Sequence, residues 1–333
     1  MRLLDRSRRR AVPLVLGLLV IAIGAGSMPL AQGQEAGNKP IRLVVPFTPG
    51  GSTDIIARVI AGKLSVSLGR SVIVDNRPGA GGSIGAAEVA RAAPDGSTLL
   101  MGHIGTLAVN PWLYPKLAYD PVKSFAPIAY VARVPNVLVV NAASDITSLS
   151  ELIDRCRAQP GQLTYASGGN GSAAHLVTEA LRLAAGVAVT HIPYRGTAPA
   201  VNDVMARQVD FTFTGAPALL PQIKAGRLRA LAVSSPERLP SLPEVPTVAE
   251  SGYPGFDADQ WYGVVAPAGT SEATVTRLNE AINAALALAD VMQSLAEQGA
   301  EPVRAPPRAF ADLIARELPR WREVVRGAEM KAE

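Results

Sequence analysis

At 333 residues the chain is long enough for a large buried core and, as a soft prior, for two domains. Its formal charge of +4 resides in residues 1–33, where Arg2, Arg6, Arg8, Arg9 and Arg10 face only Asp5. The remainder is neutral overall, which leaves no nucleic-acid-binding surface, and Cys156, the only cysteine, excludes both an intrachain disulfide and a cysteine metal site.

The arginines precede an apolar, glycine-bearing run from Ala11 to about Leu30, the pattern of a secretory signal peptide. The run is short for a membrane span and is interrupted by Pro13 and Pro29; a retained anchor is the alternative reading. Cleavage after Ala31-Gln32-Gly33, or at Ala31 itself, makes residues 1–33 the leader and the periplasm the destination. No cysteine lies near the cut, so a lipid anchor is not indicated. Ser7-Arg8-Arg9 is an imperfect match to a twin-arginine export signal.

From Ile41 onward short apolar runs alternate with helix-like segments. Strands are expected at 41–45, 71–74, 98–101, 137–140, 163–166, 187–192, 211–214, 230–233 and 262–265. Such alternation predicts an α/β architecture with largely parallel sheets. The first strand runs into Pro46-Phe47-Thr48-Pro49-Gly50-Gly51-Ser52-Thr53-Asp54, a glycine turn in which Ser52, Thr53 or Asp54 can cap the next helix. That helix buries Ile55, Ile56, Val59, Ile60 and Leu64 on one face and ends at Gly69.

Further glycine loops follow at 75–85 and at Gly102-His103-Ile104-Gly105-Thr106, and a loop rich in aromatics and proline is expected from Asn110 to Pro127. Ser148 and Glu151 have capping-box spacing, and the passage into a second lobe is placed near Val140. That lobe contains Ser167-Gly168-Gly169-Asn170-Gly171-Ser172-Ala173-Ala174-His175, again a strand, a glycine loop and a helix start. Five prolines and two glycines in residues 235–258 mark an extended return segment. Afterwards come a crossing strand at 261–267, a helix burying Leu278, Ile282 and Leu286, and a last helix burying Phe310, Leu313, Ile314 and Trp321, with a kink expected at Pro319.

The chain resembles the substrate-binding proteins of the tripartite tricarboxylate transporter, the Bug family of periplasmic solute receptors. The resemblance rests on the 45–54 turn, Asp75-Asn76-Arg77-Pro78-Gly79-Ala80-Gly81-Gly82, Ala93-Pro94-Asp95-Gly96 and the loop from Tyr165 to His175. Pro193-Tyr194-Arg195-Gly196, Leu242-Pro243-Glu244-Val245-Pro246-Thr247 and Ala266-Pro267-Ala268-Gly269-Thr270 continue it in order. Ser97 and Ser124 depart from the pattern, outside the glycine loops. The resemblance implies a type II periplasmic binding protein, two α/β lobes joined by crossing strands around a ligand cleft. Lobe I is expected at 38–139 plus 259–333 and lobe II at 140–258. It also implies a small carboxylate ligand (a dicarboxylate, tricarboxylate, acidic amino acid or aromatic acid), permease subunits as membrane partners, and neither catalysis nor a cofactor. A monomer is expected.

Neither the first glycine loop nor residues 167–175 contains Lys or Arg, so a carboxylate there has to be held by main-chain N–H groups and hydroxyls. Phe47, Thr48, Gly50, Gly51, Ser52 and Thr53 are the candidates in lobe I, and Ser167, Gly171 and Ser172 those in lobe II. Asp54 reads as a cap or a ligand contact, and His175 as a cleft residue or a buried histidine. Arg195 is the candidate for a second carboxylate, with a structural ion pair as its alternative; Thr106 and Trp261 are candidates for shaping the pocket.

Three other readings start from single motifs or partners. Gly81-Gly82-Ser83-Ile84-Gly85 fits the G-x-S-x-G of serine hydrolases, although residues 76–80 separate Ser83 from its strand. Gly169-Asn170-Gly171-Ser172-Ala173-Ala174 fits a dinucleotide loop but lacks the acid expected on the next strand, and His103, His175 and His191 have no metal-ligand spacing. A receptor that signals to a membrane kinase shares the fold and the ligand chemistry and differs only in partner.

Overall fold

The structure, a computed structural model, describes residues 39–332. The expected leader, residues 1–33, lies outside the described residues. Among those described, no helix is long and apolar enough to cross a membrane.

β1 (Ile41–Val45) places Leu43 and Val45 in one core and Val44 in another, as a strand covered on both faces must. α1 (Ser52–Leu68) buries Ile56, Ile60 and Leu64 and stops at Gly69, whose φ of 60° is left-handed. β2 (Val72–Asn76), α2 (Ser83–Ala90), β3 (Thr98–His103), α3 (Asn110–Leu113) and β4 (Phe125–Val134) complete the first pass. The second sheet is built by β5 (Asn136–Asn141), α4 (Leu149–Ala158), β6 (Thr164–Ser167), α5 (Ala173–Ala185), β7 (Thr190–Pro193), α6 (Thr197–Met205), β8 (Phe211–Gly215), α7 (Ala216–Lys224) and β9 (Leu228–Val233). The chain then returns through β10 (Gln260–Pro267), α8 (Glu272–Leu286), α9 (Ala289–Glu297), β11 (Glu301–Pro302) and α10 (Pro307–Gly327).

Strand order is β11-β4-β10-β3-β1-β2 in the first sheet and β7-β6-β8-β5-β9 in the second. In each, an opening strand (β1 or β6) lies between two parallel neighbours, and a strand arriving from the other sheet (β10 or β5) is inserted antiparallel. The sheets are therefore mixed where largely parallel ones were expected, because each crossing strand runs against the series it joins. Both faces of both sheets carry a core, as Leu138 and Val140 of β5 face one side and Val137 and Val139 the other.

Several expectations need correction. The segment from Asn110 to Pro127 contains α3 and the start of β4, one of the interior strands. Pro127 argues against such a strand, but the register with β10 shifts beside it, and a proline at a bulge removes no ladder bond. Residues 137–140 pair with β8 and β9, so the sheets change at Pro135, upstream of Val140. The Ser148 cap forms, its Oγ accepting the Glu151 N–H at 3.2 Å, whereas Glu151 reaches Thr147 N–H and Oγ1 instead of completing the box.

One polar cluster ties the crossing segments together. Asn136 donates its side-chain amide to the Ala258 carbonyl at 2.7 Å and its N–H to Ser234 Oγ at 2.8 Å. Ser234 Oγ donates to Asp259 at 2.6 Å, and Arg133 pairs with Asp259 at 2.8 Å. Burial pushes the Asp259 carboxyl up to about 6 against the pull of Ser234 and Arg133. The lobes also meet at α5, whose Ala173 and Leu176 pack into the first sheet's core beside Trp261 and Trp321.

Candidate ligand-binding site

The turn after β1 delivers the start of α1 to the space between the lobes. Gly51 caps the helix with extended backbone and no side-chain bond, so Ser52, Thr53 and Asp54 form the first turn and none of them is the cap. First-turn N–H groups have no partner inside the helix. Asp54 reaches back: its carboxylate accepts the Gly50 N–H, Arg58 Nε and Asn76 Nδ2, each at 3.0 Å. Burial would raise the Asp54 pKa, but these donors outweigh it and hold the carboxyl below its ordinary value.

In lobe II, Ser172 caps α5, its Oγ accepting the His175 N–H at 3.4 Å. The Gly171 N–H donates to His175 Nδ1 at 3.2 Å, which assigns the His175 proton to Nε2. Ser167 Oγ lies 2.5 Å from His191 Nε2 and accepts the Gly169 N–H at 3.1 Å. The two imidazoles stack at 4.1 Å. Burial pushes His175 down to about 3, with His191 as a second cause, and His191 down to about 4; both are neutral near pH 7.

A third helix start joins these two. Gly196 precedes α6 with φ 127°, and a Cβ there would overlap Thr48 Oγ1 of lobe I, so the close approach requires glycine. Thr48 Oγ1 is buried with no hydrogen-bond partner among the described residues. A small pocket of about 20 Å³ is lined by Gly51, Ser52 and Thr53 of the first start, Ser172, Ala173 and Ala174 of the second, and Thr197 of the third. It holds one or two water-sized groups. Unpaired N–H groups and dipoles from several helix starts suit an anion.

Phe47, its ring stacked on His103 at 4.5 Å, lines both this pocket and a cavity of about 650 Å³. The larger cavity runs between residues 79–82 and Tyr114 of lobe I and residues 168–170 and 193–196 of lobe II. Tyr114 Oη donates to the Asn170 carbonyl at 3.2 Å between the lobes. Arg195 is the only charged residue in that lining, and it makes no ion pair among the described residues. Another groove, of about 470 Å³ around Arg155 and Asp145, lies at the opposite ends of the lobe II strands, away from all three helix starts.

Of the residues expected at the site, Phe47, Thr48, Gly51, Ser52, Thr53, Ser172 and Arg195 line one or both cavities. The others stand behind the loops. The N–H groups of Gly50 and Gly171 are taken by Asp54 and His175, and Ser167 is fully buried against His191. Thr106 Oγ1 donates to the His103 carbonyl at 3.1 Å, and Trp261 packs in the core. Ser83 opens α2, and its Oγ accepts the Asn110 amide at 3.0 Å, a partner that cannot serve as a base.

Sequence reasoning passed over Thr197, Thr214, Gln260 and Tyr262, which complete the small pocket. Thr197 had a signal, since it follows Gly196 at the head of a helix. Burial raises the Tyr262 pKa and keeps its hydroxyl protonated beside Ser52 and Thr53.

The chain is 43% identical over 320 residues to the protein BugT of Bordetella pertussis, covering 95% of this chain and 98% of that one. A structure of a Rhodopseudomonas palustris protein with adipate superposes with a TM-score of 0.85 at 39% identity, covering 88% of this chain and 98% of that one. MatC from the same organism with bound malate gives 0.82 at 37%, covering 86% and 98%. The periplasmic binding protein BugD gives 0.84 at 37%, covering 88% and 99%. Residues 56–330 match the tripartite tricarboxylate transporter family receptor, and the chain belongs to that family.

Proposed function

We propose that the chain is an extracytoplasmic receptor for a small dicarboxylate, one carboxylate held at the three helix starts and the other by Arg195. The observation that carries this is the convergence of residues 51–53, 172–174 and Thr197 on one small pocket, with an unpaired arginine in the adjoining cavity. Relatives solved with adipate and with malate support the ligand class. Hydrogen bonds to a charged group contribute about 1.5–3 kcal/mol each, and micromolar affinity needs roughly 8 kcal/mol. Four or five such contacts suffice after ordering costs.

Because the helix starts belong to both lobes, a carboxylate meets all of them only when the cleft is shut. Binding energy is then differential between open and closed forms and drives closure. In this reading the leader directs the chain to the periplasm, and permease subunits receive the closed form with its ligand.

Native mass spectrometry of the purified protein, followed by calorimetry of stripped protein with adipate and malate, tests the proposal. A co-purifying acid, or micromolar binding of either probe, is expected. Absence of both overturns it.

A further inference from the structure

The lobe II loop is braced by a side chain that belongs to no glycine motif. His191 sits on β7, in register with Tyr165 of β6, and its ring packs on Tyr165 at 4.7 Å and on His175 at 4.1 Å, each tilted by 16°, with Tyr165 and His175 themselves 6.5 Å apart in a three-ring cluster. Tyr165 is fixed in turn, its hydroxyl donating to Glu179 at 2.9 Å, while Glu179 holds Arg182 at 2.7 Å. His191 Nε2 meets Ser167 Oγ, which accepts the Gly169 N–H and lies 3.3 Å from the Gly169 carbonyl. That carbonyl accepts the Ser172 N–H at 3.0 Å, immediately before the α5 start.

The Ser167–His191 distance is that of a nucleophile and its base. Ser167 is nevertheless fully buried and lines neither cavity, so the contact holds the loop in place and presents no nucleophile. Gly169 has φ 111° and Gly171 φ 77°, conformations that leave this loop with few side-chain anchors of its own.

We infer that His191 is a positioning residue for the lobe II half of the ligand site, setting through Ser167 and the His175 stack where the Gly169 and Gly171 amides and the α5 start stand. The ligand consequence rests on the receptor reading above; the loop consequence does not. All of these contacts lie within lobe II.

Amide hydrogen exchange of ligand-free protein reads the loop directly. In His191→Phe, which keeps an aromatic ring in the stack and removes Nε2, exchange at the Gly169 and Gly171 amides is expected to quicken about tenfold, the scale of one lost hydrogen bond, with the Leu181 amide of α5 unchanged. His191→Gln, whose terminal amide can again reach Ser167, should restore most of the protection. Should the phenylalanine variant fold poorly, His191→Asn, whose shorter side chain leaves Ser167 in place but does not reach it, serves instead and is expected to quicken both amides alike. Calorimetry with adipate should show affinity lowered about tenfold in His191→Phe and recovered in His191→Gln. Unchanged Gly169 and Gly171 exchange in either disrupting variant overturns the inference. Exchange that depends on His191 in a wild type that binds neither adipate nor malate would uphold the positioning role and remove the receptor reading instead.

Discussion

Behind the lobe I loop stands a charged brace, Asp54 held between Arg58, Asn76 and the Gly50 N–H; behind the lobe II loop stands a neutral one, His175 under the Gly171 N–H with its ring on His191. Each brace consumes one loop amide, and in lobe II the Ser172 cap takes the His175 N–H as well. In lobe I the negative charge of Asp54 is offset locally by Arg58, at 2.9 Å. In lobe II no charge is introduced, because a protonated His175 could not accept from Gly171. Two unlike solutions therefore reach the same result, a helix start with no uncompensated carboxylate beside it. The difference shows in what each brace is sensitive to: salt and charge removal in one lobe, acid in the other.

The largest effect is expected where the two loops touch. Gly196→Val puts a side chain into Thr48 at a φ of 127°, so calorimetry should show adipate affinity reduced by at least about a hundredfold, with the melting temperature lowered by a few degrees because valine is strained at that φ. Normal binding would mean that the lobes need not meet there. Next comes the charged brace. Asp54→Ala leaves the Gly50 N–H and Arg58 without their acceptor and should cost about 2–3 kcal/mol in urea unfolding, less at high salt.

The neutral side yields less. Ser172→Ala removes the α5 cap, for a loss of about 1 kcal/mol in the same assay and a several-fold weaker affinity. If the two loops proved equally salt-sensitive in these variants, the contrast between charged and neutral braces would fail.

Acid acts on the neutral side through its imidazoles. His103 and His191, held near 4, and His175, held near 3, bind fewer protons folded than unfolded, so stability declines as pH falls from about 6.5 toward 4. Asp259, raised to about 6, binds more protons folded and works in the opposite direction over part of that window. Tyr165 and Glu179 pack against the histidine pair, and Glu329 and Lys331 share its outer pocket. With three groups against one, thermal melts should drop by a few degrees between pH 6.5 and 4.5. A flat profile would place the histidines in contact with solvent.

Much of the architecture was legible because its signals are local. β1, the 46–54 turn and α1 follow from an apolar run, two glycines and helical spacing, and the same logic found the loop before α5. β4 was hidden by Pro127, which is tolerated only because the register with β10 slips beside it, a fact about the partner strand. Which amides remain free at the site was hidden for the same reason. Asn76, which braces Asp54, lies on β2, and His191, which braces Ser167, lies on β7; neither neighbours its loop in sequence. Composition and spacing locate a loop, whereas its hydrogen-bond bookkeeping depends on the strand that folds against it.

The stitched crossing of the lobes has a mechanical consequence. Asn136 on the outgoing segment and Ser234, Ala258 and Asp259 on the return segment are bonded to one another, so neither strand can slide past its partner without breaking several bonds at once. The joint thus fixes the register of the two passages against each other, and Arg133 on β4 is fastened to the same knot through Asp259.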